Sequence, residues 1–166
     1  FVRQEIIRLA GELAGDTVES QTIPAREVSL PVCYENEFAP DLKDVADFAR
    51  CTQGEVVRMH TSQTYRVYML GFQPGFAYLG SVTAEIASPR RKTPRINVPA
   101  GSVGIAGRQT GVYPCDSPGG WQIIGRCPIA LVDWDSENPF VLRSGDRVRF
   151  KPVDRITYDA LLTESP

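Results

Sequence analysis

Histidine occurs once in the 166 residues, and this scarcity limits the available chemistry before any motif is sought. The cysteines, at 33, 51, 115 and 127, form no C-x-x-C pair and have no partner histidines at zinc-ligand spacing. A zinc ribbon, a finger and a redox dithiol are therefore excluded, and no metal site is expected. Scattered in this way they read as free thiols, and no charged-then-apolar leader opens the sequence, so a reducing cytoplasm is the expected location. No apolar run approaches the roughly 20 residues that a membrane span needs, so no membrane partner is expected. Neither sign of charge prevails: 18 basic against 20 acidic residues leave a net charge of -2. A polyanion finds no whole-molecule field to hold it, which argues against nucleic acid as the main partner. The Walker phosphate loop, the dinucleotide G-x-G-x-x-G, H-E-x-x-H and the esterase G-x-S-x-G are all missing as well.

What is present has the balance of one globular domain, with 42% hydrophobic and 23% charged residues. The opening "FVRQEIIRLAGELAG" repeats Val2, Ile6, Leu9 and Leu13 at helical spacing, with Gly15 as a stop. "REVSLPVCY" alternates as a strand, in which Pro31 is tolerable only at an edge or bulge. "APDLKDVADFA" predicts a helix with Leu42, Val45 and Phe48 on one face, and Thr52 with Glu55 forms a capping box for a second helix. Strands are expected over 63–70, 103–107, 121–127 and 129–133, and a hairpin over 140–153 around Ser144-Gly145-Asp146. The sum is a mainly β chain with short helices: a small closed or nearly closed β-barrel with two flanking helices.

Residues 71–107 concentrate glycine, proline, aromatic and basic residues. Prolines fix φ, glycines supply positive φ, and together they describe rigid turns around a recess more than a loose connector. Arg90, Arg91, Lys92 and Arg95 make the one dense basic cluster, read either as an anion clamp or, for two of the four, as structural ion pairs. Phe72, Phe76, Tyr78, Tyr113 and Trp121 all lie beside glycine or proline, as a pocket wall or protein-binding patch does, although core packing can claim part of the set. Near a helix C-terminus, His60 is expected either to move a proton in its readily charged form or simply to cap or pack the helix. Ser102, Gln109 and Ser117 sit in glycine turns, where they bond either a ligand or their own backbone. The arginines, the imidazole and the aromatics are expected to converge on a hollow at the barrel's mouth.

Four blocks, "YMLGFQPGFAYLG", "TPRINVPAGSVGIAG", "QTGVYPCDSPGGWQIIG" and "GDRVRF", resemble in order and spacing the allophanate hydrolase subunit 1 family, which includes 5-oxoprolinase B subunits and Kip-type histidine kinase inhibitors. The resemblance implies a cyclophilin-like β-barrel over 25–166. It also implies that 1–24 are the remnant helix and linker of a missing ferredoxin-like N-terminal lobe. It implies a subunit that works with a second cyclophilin-like subunit, of the allophanate hydrolase subunit 2 type, and with a lactam-utilisation protein. Their joint reaction would be the ATP-dependent opening of 5-oxoproline to glutamate, with ATP as co-substrate of the complex and no tightly bound cofactor. Two other branches stay open: the carboxyltransferase part of a biotin-dependent urea carboxylase, and an inhibitor that binds a sensor histidine kinase. Carried onto this sequence, the family's cleft positions are His60, Arg95, Gln109 and Ser102 as catalytic candidates. Tyr65, Gln73, Arg90, Tyr113, Ser117 and Trp121 would contact substrate, and Phe72, Phe76 and Tyr78 a partner.

Overall fold

The computed structural model describes residues 25–164; the helix expected over 1–15 and the lobe boundary at 24 lie outside the described residues. Strand β1 (Glu27–Cys33) is followed by helices α1 (Leu42–Ala49) and α2 (Gln53–Thr61). Then come β2 (Tyr65–Leu70), β3 (Ala77–Gly80), β4 (Arg95–Val98), β5 (Ser102–Ala106), β6 (Gln109–Val112), β7 (Ser117–Gly119), β8 (Gln122–Arg126), β9 (Arg147–Val153) and helix α3 (Arg155–Glu164). Seven strands close a barrel in the order β1-β8-β5-β6-β3-β2-β9, while β4 and β7 form a separate two-stranded ribbon. The mainly β reading holds.

The barrel closes because β1 runs parallel to β9 over its whole length, from Glu27 opposite Arg147 to Cys33 opposite Val153. On its other side β1 meets β8 only at Cys33 opposite Arg126, so Pro31 lies where that flank has no ladder and its missing N–H breaks no bond there. Helix α2 begins with the expected capping box: the Thr52 hydroxyl accepts from the Glu55 N–H at 3.2 Å, and the Glu55 carboxylate accepts from the Thr52 N–H at 2.8 Å.

Four expectations are corrected. Phe48 is 53% exposed, and α1 buries Leu42, Val45 and Ala46 instead. At about 100° per residue, Phe48 lies about 120° from Leu42 and falls off the apolar face. Residues 129–133 form no strand and keep a single bridge, Val132 to Phe140. Ser144-Gly145 does turn the chain, with Gly145 at φ +91°, but no hairpin forms. The Asp146 carboxylate takes the Arg143 N–H at 2.8 Å, and β9 leaves to pair with β1 and β2. Finally, a third helix, α3, follows the last strand, where two flanking helices were expected in all. The Asp154 carboxylate caps it by accepting the Thr157 N–H at 2.8 Å, and Tyr158 packs on Phe38 with ring centroids 4.4 Å apart.

Candidate functional site

Alternation along the wall strands sends residues to two different clusters. Leu79, Val103, Ile105, Val112 and Ile124 join the large core, together with Tyr65 and the buried faces of α1 and α2. Phe76, Ala106, Tyr113, Trp121 and Ile123 join a second, smaller cluster with Val98 of the ribbon. The two clusters lie on opposite faces of β3, β6, β5 and β8, and the β4–β7 ribbon covers the second from outside.

Between ribbon and wall opens a recess of about 230 Å³, lined by Phe72, Phe76, Tyr78, Arg90, Pro94, Tyr113, Pro118, Gly119, Gly120 and Trp121. Phe76 is its hub. It meets Tyr78, Tyr113 and Trp121 edge-on at centroid distances of 5.0, 5.4 and 5.4 Å, an arrangement that places ring edges against ring faces. The Arg90 guanidinium stands 5.9 Å from the centroid of Trp121, within cation–π range. Tyr113 fits under the ribbon only because residue 119 is glycine: a Cβ there would collide with the phenol oxygen. Burial pushes the Tyr113 hydroxyl's pKa up; the backbone N–H of Trp121 and the charges of Arg90 and Arg95 oppose that rise.

Behind the recess lies a buried carboxylate that sequence reading passed over. Asp41 is 1% exposed, and its Oδ1 accepts from Arg91 Nη1 at 2.7 Å and from Arg95 Nη2 at 2.6 Å. Its Oδ2 accepts the Ile123 N–H at 2.6 Å. These partners are 50, 54 and 82 positions away along the chain, so no spacing rule could have found them.

His60 lies on the other face of the wall. Its ring is 0% exposed and stacks on Phe150 at 4.6 Å, and burial lowers its pKa to about 3. The readily charged imidazole expected at a helix end is thus corrected: desolvation outweighs the helix terminus. Its hydrogen bonds also fix the tautomer. Thr110 donates its single proton to the Gly104 carbonyl at 2.9 Å, so its oxygen must accept from His60 Nε2–H at 2.9 Å. Nδ1 is then the acceptor for the Tyr34 hydroxyl at 2.8 Å. No lone pair remains for a substrate proton.

The expected convergence at the barrel's mouth is therefore corrected. Arg90, Tyr113, Trp121, Phe72, Phe76 and Tyr78 do meet, but on the outer wall. Tyr65 belongs to the large core, where its hydroxyl donates to the His60 carbonyl at 2.7 Å. Arg95 gives Nη2 to Asp41, its Nη1 is buried without a hydrogen-bond partner, and it does not line the recess beside Arg90. Gln109 is exposed at the start of β6, opposite Gly80 and Ala106. Ser102 and Ser117 are buried with hydroxyls that have no hydrogen-bond partner. Gln73 borders a neighbouring shallow depression with Phe72 and Phe140, where its Oε1 accepts from the Cys115 thiol at 3.4 Å. Sequence reading missed Pro94, Pro118, Gly119 and Gly120 as lining; the G-G pair beside Trp121 was the available signal. Among the described residues no group of three or more His, Cys, Asp or Glu side chains could hold a metal ion, and no helix is long and apolar enough to cross a membrane.

A closed barrel with an aromatic recess on its outer wall, one guanidinium at the rim and a two-stranded ribbon beside it defines the architecture. Residues 3–142 match the family described as carboxyltransferase domain, subdomain C and D. The chain is 46% identical over 162 residues to the 5-oxoprolinase B subunit of Bacillus subtilis, covering 98% of this chain and 68% of that protein. It is 50% identical over 125 residues to the 5-oxoprolinase B subunit of Haemophilus influenzae, covering 75% and 59%. The crystal structure of a conserved uncharacterized protein from Pyrococcus horikoshii superposes with a TM-score of 0.77 at 47% identity, over 80% of this chain and 62% of that one. The chain belongs to the carboxyltransferase subdomain C and D family, and it spans about two thirds or less of these relatives.

Proposed function

We propose that this chain is the barrel part of a 5-oxoprolinase subunit and that the outer-wall recess holds the lactam. The observation that carries this reading is the 46% identity, over nearly the whole chain, to a protein named as the B subunit of a 5-oxoprolinase. The chemistry of the recess suits the ligand. 5-Oxoproline is a flat five-membered ring with a carboxylate on one side and a ring carbonyl on the other. The ring would lie on Phe76 and Trp121, and the Arg90 guanidinium would take the carboxylate by charge-assisted hydrogen bonds. The Tyr113 hydroxyl would donate to the lactam oxygen. ATP would act as co-substrate of the whole complex, activating the lactam carbonyl for attack by water. The second cyclophilin-like protein and the lactam-utilisation protein would supply what this recess lacks. Buried and neutral, His60 has no step here.

The test is ATP-dependent glutamate release by the full-length protein reconstituted with its two partners. Arg90→Ala is expected to lower kcat/KM by about 10- to 100-fold, the equivalent of one charge-assisted hydrogen bond. A complex that releases no glutamate, or one in which Arg90→Ala and Trp121→Ala both keep full turnover, overturns the reading.

A further inference from the structure

We infer that Asp41 is a positioning residue for the recess: its carboxylate pins the arm that carries Arg90 and Pro94 over the aromatic floor. The inference takes the recess to be the ligand site, as proposed above. Arg90 and Pro94 belong to the segment between the short 3-10 turn Ala84–Ile86 and strand β4. That segment is tied down on both sides of Arg90. The Pro89 carbonyl accepts from Gln122 Nε2 at 3.0 Å, and the Arg91 N–H donates to the Gly120 carbonyl at 2.8 Å. The side chains of Arg91 and Arg95 then both reach one oxygen of Asp41.

Asp41 is itself fastened to the wall. It exchanges two hydrogen bonds with the Ile123 backbone: its own N–H to the carbonyl at 2.9 Å, and the Ile123 N–H to Oδ2 at 2.6 Å. Ile123 belongs to the same small cluster as Trp121, two residues earlier on the chain. The carboxylate thus links the floor to the arm, and Arg90, lying between two pinned neighbours, is left with Trp121 as its contact. Division of labour among the basic residues follows from this geometry: Arg91 and Arg95 hold the arm, and Arg90 is presented to the ligand.

Loss of the Asp41 charge would leave two guanidiniums, with side chains 33% and 25% exposed, side by side without their shared counter-ion. Breaking a buried pair from one side is strongly unfavourable, and the strain falls on the arm, whose remaining ties are the Pro89 and Arg91 backbone bonds. The nearest substitute is Asp44, whose carboxylate is 4.0 Å from Arg91 and 64% exposed, too wet to replace the buried partner.

Two readouts test the inference. Trp121 and Trp134 are the two tryptophans of these 166 residues, so Trp134→Phe leaves Trp121 as their one indole. In that background Asp41→Asn is expected to raise acrylamide quenching of Trp121, which is 5% exposed, by about threefold or more as the arm lifts. In the reconstituted complex the same substitution is expected to raise KM for 5-oxoproline by about tenfold with kcat within about twofold, because binding geometry is lost and chemistry is not. Val45→Ala, a core truncation in the helix that follows Asp41, should lower the melting temperature while leaving quenching and KM unchanged. Arg91→Gln releases the arm from its own side, should act in the same direction as Asp41→Asn, and serves if that variant does not fold. Quenching and KM both at wild-type values in Asp41→Asn or Arg91→Gln, or moved equally by Val45→Ala, overturn the positioning role. Raised quenching in a complex that never releases glutamate upholds it and removes the lactam assignment alone.

Discussion

The single histidine shows how far burial can redirect a residue whose position was legible. That His60 ends a helix follows from the Thr52 box and helical spacing, and α2 does end one residue later. Its protonation state does not follow, because Phe150, which stacks on the ring, arrives 90 positions downstream. The consequence is measurable. The unfolded chain takes up a proton on His60 near pH 6.5, while the folded chain resists until about pH 3. Between those values the unfolded state binds more protons, so stability falls as pH falls and is unaffected by this group above the window. The expected slope is about 1.4 kcal/mol per pH unit from this residue. Urea melts of wild type and His60→Gln at pH 7, 6, 5 and 4 should converge on acidification, since the variant carries no such term. Parallel curves would mean that the imidazole titrates normally in the fold. Arg95 teaches the same lesson with opposite sign: a guanidinium in a basic run looks like a ligand clamp until a distant carboxylate absorbs it.

At the scale of elements, strands with clean alternation and a capped helix were readable, and short ones were not. β1 and β2 fall where β-branched and aromatic residues alternate, and β5 and β8 within two residues of expectation. β4 and β7, of four and three residues, carry too little pattern to be seen, although they form the ribbon that makes the recess a recess. The ribbon depends on Gly119, where Arg95 of β4 is the opposite residue and Tyr113 lies beneath. Gly119→Ala would force a methyl against the phenol oxygen and ring, so either the ribbon or the tyrosine must shift. The expected loss is about 1–3 kcal/mol in urea unfolding, as for other overpacked sites. An unchanged midpoint would show that the ribbon is not seated on Tyr113. The strand expected at 129–133 failed for a related reason: an apolar run can pack without pairing, and Leu131 joins the core while Val132 makes only one bridge.

For the molecule as a whole, closure rests on a pairing between the two ends of the described chain. β9 is parallel to β1 and antiparallel to β2, so it is held on both sides, whereas α3 is fastened by Tyr158 and Arg155 on the Phe38 ring, the Arg155–Glu37 ion pair and the Arg155 N–H to the Glu35 carboxylate. Deletion of the residues after Val153 should therefore give a folded barrel with a lowered melting temperature. Deletion of those after Asp146 should give no cooperative melt by circular dichroism, since β1 and β2 would both become open edges. Equal behaviour of the two truncations would contradict this order of importance. Composition and pattern determined, without coordinates, that the chain is a mainly β domain with two early helices, that its glycine- and proline-rich stretch is ordered, and that aromatics gather there with a cation. Those properties are local: they depend on residues within a few positions of one another. Only the tertiary structure decided which face of the wall each side chain takes, which arginine meets Asp41, and that His60 and Tyr65 lie across the barrel wall from Tyr113 and Trp121. Strand register sets those outcomes, and a register is fixed by partners dozens of positions away.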